Sequence, residues 1–365
     1  MADYKKYQSD GVSAEDKALD KFAELMIEKI ESLKNSDSWK QPWFTEGSLR
    51  WPRNLSGREY NGMNALLLMM LCEKQNYKLP VFCTFNRAVG LNYTTDKQGA
   101  KKPITDADGQ PLPRVGINKG EKSFPVMLTT FTVVDKDTKE KINYEDYKRL
   151  SNDEKAQYNV YPKLNVYQVF NVDQTNLKEA RPDLYAKLES ENKLQRPFSG
   201  EGESFKFPAM DAMIAENKWI CPINLVHQDN AYFSISKNQI TLPEKSQFKD
   251  GESFYGTAFH EMTHSTGTAE MFNRFNPESG FGSAEYAKEE LVAELGSALV
   301  AQRYGMTKNL KDDSAVYMKS WLDSLKESPS FIKTTLMDVK RATSVITQRI
   351  DEVALELEAK QSQTN

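Results

Sequence analysis

The sequence predicts an α+β protein of two domains: an N-terminal α+β domain and a C-terminal, mainly helical domain with a small β-sheet. Three observations carry that reading. The 365 residues, 39% hydrophobic and 27% charged, are enough for two full cores in a globular chain. Short β-type runs mix with helical stretches before about residue 175, and helical periodicity dominates afterwards. Between them lies a polar, Gly- and Pro-bearing stretch, read as a linker over 178–205. The domains are then 1–177 and 206–365.

In chain order, EDKALDKFAELMIEKIESLK (15–34) is helical, with Leu19, Phe22, Leu25, Met26, Ile30 and Leu33 spaced by three and four. RWPRNLSGREYNGMN is rich in Pro, Gly and Asn and reads as loop. ALLLMMLCEKQNY reads as a buried helix, and VFCTF, FPVMLTTFTVV and NVYQVFNV as strands. Two polar inserts interrupt these strands, around 94–114 and 135–163. The second contains NYEDYKRLSNDEKAQYN, read as a surface helix. After the linker, PAMDAMIAENKW is a helix, and AYFSI and QITL, separated by SKN, form a hairpin. The remainder reads as helices over about 253–266, 284–304, 313–327 and 330–359.

No apolar run approaches the ~18 residues that span a bilayer, and the polar first residues lack the apolar core of a signal peptide. Cys72, Cys83 and Cys221 lie far apart, which suits reduced thiols and a cytoplasmic protein. The net charge of −4 hides an asymmetry. From Trp39 to Lys122 there are 13 basic against 7 acidic residues; from Asn176 onward there are 22 against 28. A basic, aromatic-rich segment beside an acidic remainder suggests two tasks.

FHEMTHSTG (259–267) holds two of the three histidines of the chain. Residues four apart share a helix face, so His260 and His264 can grip one metal ion. Glu261, beside that face, can take a proton from water activated by the ion; this is the HExxH arrangement for zinc. Phe254, Ala258, Phe259 and Met262 would pack the helix, and Gly267 can end it in a left-handed cap. A catalytic zinc needs a third protein ligand. SAEYAKEELVAELGSALVAQRYG supplies a second helix, with Ser283 as N-cap and Gly305 as stop. On it Glu290 and Glu294 share a face. Glu290 is preferred as the ligand and Glu294 as a partner of a ligand histidine, with Glu294, Glu289 and Glu270 as alternative ligands. His227 and Cys221 lie outside the usual spacing. Tyr255 and Tyr286 are nearby tyrosines without an assigned role, and AYFSISKNQITLP provides a strand to which an extended peptide can add.

In the N-terminal segment aromatics alternate with basic and amide residues: Trp39, Lys40, Trp43, Trp51, Arg53, Asn54, Arg58, Tyr60 and Asn61. Such a surface suits single-stranded nucleic acid, and the same residue types also serve cores.

WKQPW, PRNLSGREYNGMN, GINKGEKSFPV and VFNVDQT resemble, in order, the N-terminal domain of ArdC-type antirestriction proteins. QITLPEKSQF, FYGTAFHEMTHSTG, FGSAEYAKEELVAELGSALV and the stretch from WLDSLKESPS onward resemble their C-terminal metallopeptidase domain and tail helices. The resemblance implies an N-terminal domain that binds single-stranded DNA, with Lys119 and Lys122 added to its contacts, and a C-terminal zincin-like domain. It also implies residence on a mobile element, protection of incoming DNA from restriction, and a protein substrate that it does not identify. Zinc then falls on His260, His264 and Glu290, with Glu261 as base and Glu294 behind the ligands. The inserts at 94–114 and 135–163 lengthen stretches that are shorter in many relatives. The rival expectation is a DNA-binding or restriction-blocking protein whose zinc is structural.

Overall fold

The computed structural model describes residues 13–34, 51–60, 62–96, 98–192, 199, 205–275, 283–306 and 317–364. The first amphipathic stretch forms α1 (Ala14–Lys34). Ser13 opens it as a cap: its Oγ accepts from Asp16 N (3.0 Å), and Asp16 Oδ2 accepts from Ser13 N (3.2 Å). β1 (Arg53–Asn54) precedes α2 (Met63–Gln75). This helix is apolar all round, and Ala65 through Met70 are all buried, as such a pattern demands.

Next come β2 (Val81–Thr84), α3 (Phe85–Gly90), β3 (Tyr93–Thr95), β4 (Lys101–Pro103), β5 (Phe124–Asp135), β6 (Lys141–Ile142), α4 (Tyr144–Arg149), α5 (Asn152–Lys155) and β7 (Tyr158–Asn171). Strands β1, β2, β7, β5 and β6 form one sheet in that order, with only the β1–β2 pair parallel; β3 and β4 form a separate two-stranded hairpin within the first insert.

The second insert differs from the single surface helix expected. β5 and β7 stay paired from Phe124–Val169 out to Asp135–Tyr158, so the insert is a long β-arm carrying two short helices near its end. The helical stretch is split because it contains two N-caps. Asn143 accepts from Glu145 N, and Ser151 forms a capping box with Glu154.

The span read as linker is helical in its first half: α6 (Leu177–Ala180) and α7 (Pro182–Glu191). Pro182, preset for a first helical position, opens α7. Tyr185 and Leu188 bury themselves with Leu79, Val81, Val115 and Val172, and Tyr185 donates its hydroxyl hydrogen to Asp173 Oδ1 (2.8 Å).

The C-terminal part consists of α8 (Pro208–Ala215), β8 (Ile223–Val226), β9 (Tyr232–Ser234), β10 (Gln239–Pro243), α9 (Gly251–Ser265), α10 (Ala284–Arg303), α11 (Met318–Glu327) and α12 (Pro329–Thr364). Its sheet runs β8-β10-β9, and β9 and β10 form the expected hairpin. One core joins α8, β8, β10 and α9 to Ile346, Ile350 and Val353 of α12. The other packs α1 and α2 against Leu291, Val292 and Leu295 of α10, Trp321 of α11, and Ile332, Leu336 and Val339 of α12. Helices from both ends of the chain therefore share a core.

α9 and α10 touch where Gly296 faces Thr263: a Cβ at 296 would lie 2.8 Å from Thr263 Cγ2 and 3.0 Å from its Oγ1. Gly296→Ala is expected to cost about 1–3 kcal/mol of stability through this overpacking. Adding Thr263→Ala removes the clashing atoms and should recover part of that loss. Denaturant melts of the single and double variants check this; additive losses would rule the contact out.

Candidate functional site

α9 presents the HExxH residues. Asp250 caps its start, accepting from Ser253 N at 2.7 Å, and Phe254, Ala258, Phe259 and Met262 are essentially fully buried beneath it. His260, Glu261 and His264 project toward α10, which Ser283 caps by accepting from Tyr286 N at 3.1 Å. Gly305 (φ +70°) ends α10 as expected. Gly267 does not end α9 in a left-handed conformation: Thr266 closes it in the right-handed region. The glycine instead gives room, because a Cβ there would lie 2.9 Å from the Phe275 ring and 3.0 Å from His264 O.

His260 Nε2 and His264 Nε2 are 3.1 Å apart, and the Glu290 carboxylate lies 3.5 Å from the first and 3.6 Å from the second. Three donors about 2.0–2.2 Å from one ion have mutual separations of this size. Among the described residues these three are the group able to hold a metal ion. Glu270 is exposed past the end of α9, His227 is exposed and pairs with Glu244, and Cys221 is buried in an apolar core.

Each histidine has a carboxylate behind it. Glu294 Oε1 lies 3.5 Å from His260 Nδ1, and Glu289 Oε1 lies 3.2 Å from His264 Nδ1. Such partners keep Nε2 turned toward a metal. Glu289 is in turn clamped by Arg274, whose Nε donates to Oε2 (2.9 Å) and Nη2 to Oε1 (2.8 Å). Arg274 also donates to Thr263 O (2.8 Å) and Thr266 Oγ1 (2.9 Å), tying itself to the last turn of α9. The sequence reading weighed Glu289 as a ligand and missed Arg274, which no helical period links to the motif.

The site is buried and strongly acidic. Glu261, Glu289, Glu290 and Glu294 are each at least nine-tenths buried. Burial disfavours a charged His264, but the Glu289 hydrogen bond and the charges of Glu290 and Glu261 outweigh it and raise its pKa above the ordinary histidine value. Burial likewise opposes the charge on Glu289, yet its bonds to Arg274 and His264 hold it below the usual carboxylate range. Four carboxylates facing two imidazoles and one guanidinium make a negative hole that a dication would neutralise, so this donor set fits a divalent metal. Tyr286 also faces this hole. Burial, then the charge and hydrogen bond of Glu290, raise its pKa. Tyr255 does not: its hydroxyl donates to Asp211 Oδ1 (2.6 Å) and accepts from Phe207 N and Lys245 Nζ, within the apolar core.

The nucleic-acid candidates scatter. Trp39, Lys40, Trp43 and Asn61 lie outside the described residues. Arg53 bonds Leu188 O and pairs with Glu191, each at 3.4 Å, fastening β1 to α7. The Asn54 side chain accepts from Ser56 N and Arg58 N, holding its own turn. Tyr60 packs edge-on against Phe82, burial raising its pKa to about 12, and Trp51 donates to Tyr60 O. Arg58, Lys119 and Lys122 are exposed.

Comparison with known proteins adds the following. Residues 16–170 match the N-terminal domain of anti-restriction factor ArdC, and residues 208–336 match a zincin-like metallopeptidase family. Two DNA primases TraC of Escherichia coli are 29% and 25% identical, each over 94% of this chain, which spans only 20% and 27% of their lengths. An uncharacterized protein y4eC of Sinorhizobium fredii is 33% identical over 28% of the chain. Crystal structures of the antirestriction ArdC protein from plasmid R388 share the fold. The metal-free form has a TM-score of 0.61 and 22% identity, over 92% of this chain and 98% of that one. The Mn(II)-bound form has a TM-score of 0.60 at the same identity, over 91% and 97%.

If Arg274 and Glu289 orient His264, removing either should weaken metal binding without removing a donor. Arg274→Gln and Glu289→Gln are each expected to lower metal affinity about 10–100-fold. Chelator competition measures this, and unchanged affinity in both variants would contradict the arrangement.

Proposed function

We infer that this chain, which belongs to the ArdC type of antirestriction protein, binds single-stranded DNA through its N-terminal half and carries a zinc-dependent peptidase centre in its C-terminal half. The observation that supports the metal centre best is the convergence of His260, His264 and Glu290 within 3.1–3.6 Å, each histidine backed by a carboxylate. Two imidazoles and one carboxylate form the donor set of a hydrolytic zinc site.

A dication bound there would polarise a scissile carbonyl and lower the pKa of water. Glu261, next to the first ligand histidine and almost fully buried, takes a proton from the attacking water and returns it to the leaving amine. Glu294 and Glu289 fix the imidazole tautomers, so that both Nε2 atoms stay available as donors. The edge strand β9, which packs against α9, offers main-chain groups to an extended peptide. The single-stranded DNA half of the reading is supported by the match over residues 16–170 and by the excess of basic residues between Trp39 and Lys122.

His264→Ala is expected to lose nearly all metal, since two remaining donors hold a dication weakly; full occupancy by metal analysis would refute the site. Glu261→Gln should keep metal and DNA binding and abolish peptide cleavage. Protection of incoming DNA from restriction in cells, compared between wild type and Glu261→Gln, tests whether hydrolysis is the protective step. Equal protection would assign antirestriction to DNA binding alone. Single-stranded DNA affinity should fall steeply with salt, and an affinity flat from low to moderate salt would count against phosphate contacts.

A further inference from the structure

The β5–β7 arm has two unlike faces. Residues directly opposite on paired strands point to the same side, and that side alternates along each strand. On one side Phe131 stacks on Tyr144 at 4.2 Å, Tyr144 on Tyr147 at 6.0 Å, and Tyr147 meets Tyr158 edge-on at 6.1 Å. Val133 is 1% exposed beneath α4. These aromatics form a small core under the insert.

The opposite side carries the pairs from Val126–Tyr167 to Val134–Asn159. Val126 is buried against the main core, but beyond it the side is open. Tyr161 is 55% exposed, Tyr167 42% and Leu128 41%, with Lys163 and Thr130 exposed between them. Neither tyrosine makes a ring contact among the described residues, so neither serves a core. Among the described residues no acid of β5 or β7 lies on this side beyond Val126: the acids of the insert fall on the other side of β5, in the turn, or on α4 and α5. Six residues of strand set the two tyrosines ~20 Å apart, with Lys163 between them and Asn165 bonded to Thr130 Oγ1 at 2.9 Å.

We propose that this open face of the arm is a stacking platform for single-stranded DNA, with bases lying on Tyr161 and Tyr167 and a phosphate held by Lys163. Exposed aromatic faces separated by a cation, on a strand surface that carries no acid of its own, match what an unpaired strand presents and a duplex does not. The proposal rests on the single-stranded DNA reading above and assigns it a surface. It gives the lengthened insert a purpose: its helices cover the outer end of one face of the sheet and leave the other face bare.

The test uses the full chain and an oligothymidylate of about 20 nucleotides, longer than the roughly 4–16 nucleotides that a single-strand-binding OB fold covers, in fluorescence anisotropy at low salt. The pair Tyr161→Ala, Tyr167→Ala should weaken binding at least about 30-fold. The pair Tyr161→Phe, Tyr167→Phe should stay within about twofold, because stacking survives. Lys163→Ala should reduce the slope of log affinity against log salt by about 0.7. Metal content reports that the variants fold. Wild-type binding with an unaffected alanine pair overturns the platform while leaving the DNA reading in place, and points the face toward a protein partner. Equal loss in the phenylalanine pair, or duplex binding as tight as single-strand binding, also overturns it. Absence of wild-type binding overturns both readings together.

Discussion

The close approach of α9 and α10 at Thr263 and Gly296 is the constraint on which the site depends. Helix axes normally pack about 8–10 Å apart, depending on the side chains at the contact. Here the contact is a hydrogen atom against a methyl, with Thr263 next to His264 on one helix and Gly296 two residues past Glu294 on the other. With a side chain at 296 the donors of α9 and the carboxylate of α10 would separate. The same threonine also belongs to the hydrogen-bond network behind His264. Its carbonyl receives Arg274, Arg274 holds Glu289, and Glu289 holds His264. Backbone packing and the orientation of the second imidazole are therefore one construction. Its cost is electrostatic, since four buried carboxylates face a single arginine. A dication in the hole would remove that repulsion, and its binding would then add to the stability of the fold.

Much of this could be read from the sequence, for reasons that also mark where reading stops. α1, α9 and α10 follow from apolar spacing and α2 from an unbroken apolar run, and His260, His264, Glu290 and Glu294 follow from the pitch of two helices. Arg274 lies in an irregular turn and reaches back over α9, a path that no period encodes. Glu289 sits 100° around the helix from Glu290 and gains its place only through the angle at which the helices pack. The two caps at Asn143 and Ser151 were present in the sequence, but the polar pattern between them resembled one helix. The left-handed cap expected at Gly267 fails because the glycine answers to Phe275, a neighbour on the following turn.

The nucleic-acid candidates show another limit. Amide and aromatic side chains serve a turn, a core or a ligand equally well, and spacing does not separate these uses. Asn54 closes its own turn, Tyr60 fills a gap beside Phe82, and Arg53 fastens a helix. Several residues of the motifs carrying the family resemblance are clamps of the same kind. Asn64 exchanges hydrogen bonds with the Met127 backbone, Asn171 donates to Leu79 O, and Asp173 accepts from Lys78 N and Leu79 N. Family motifs in this half therefore mark the frame, and a surface for nucleic acid has to be sought among side chains with no structural employment.

The frame itself crosses the boundary suggested by composition. α10 turns one side, with Glu290 and Glu294, toward α9, and another, with Leu291, Val292 and Leu295, toward α1, α2 and α11. α12 runs past both cores, contributing Ile332 to Val339 to one and Ile346 to Val353 to the other. Arg303 at the end of α10 pairs with Glu59 at 2.7 Å and covers the Trp51 ring, and the Lys340 side chain fills the space where Gly62 lacks a Cβ. Cutting the chain near residue 178 would strip α1 and α2 of their helical neighbours and expose a large apolar surface. The helix that brings Glu290 to the histidines is also a wall of the N-terminal core. The position of Glu290 is therefore set by packing in both halves, and its meeting with His260 and His264 is a property of the whole chain.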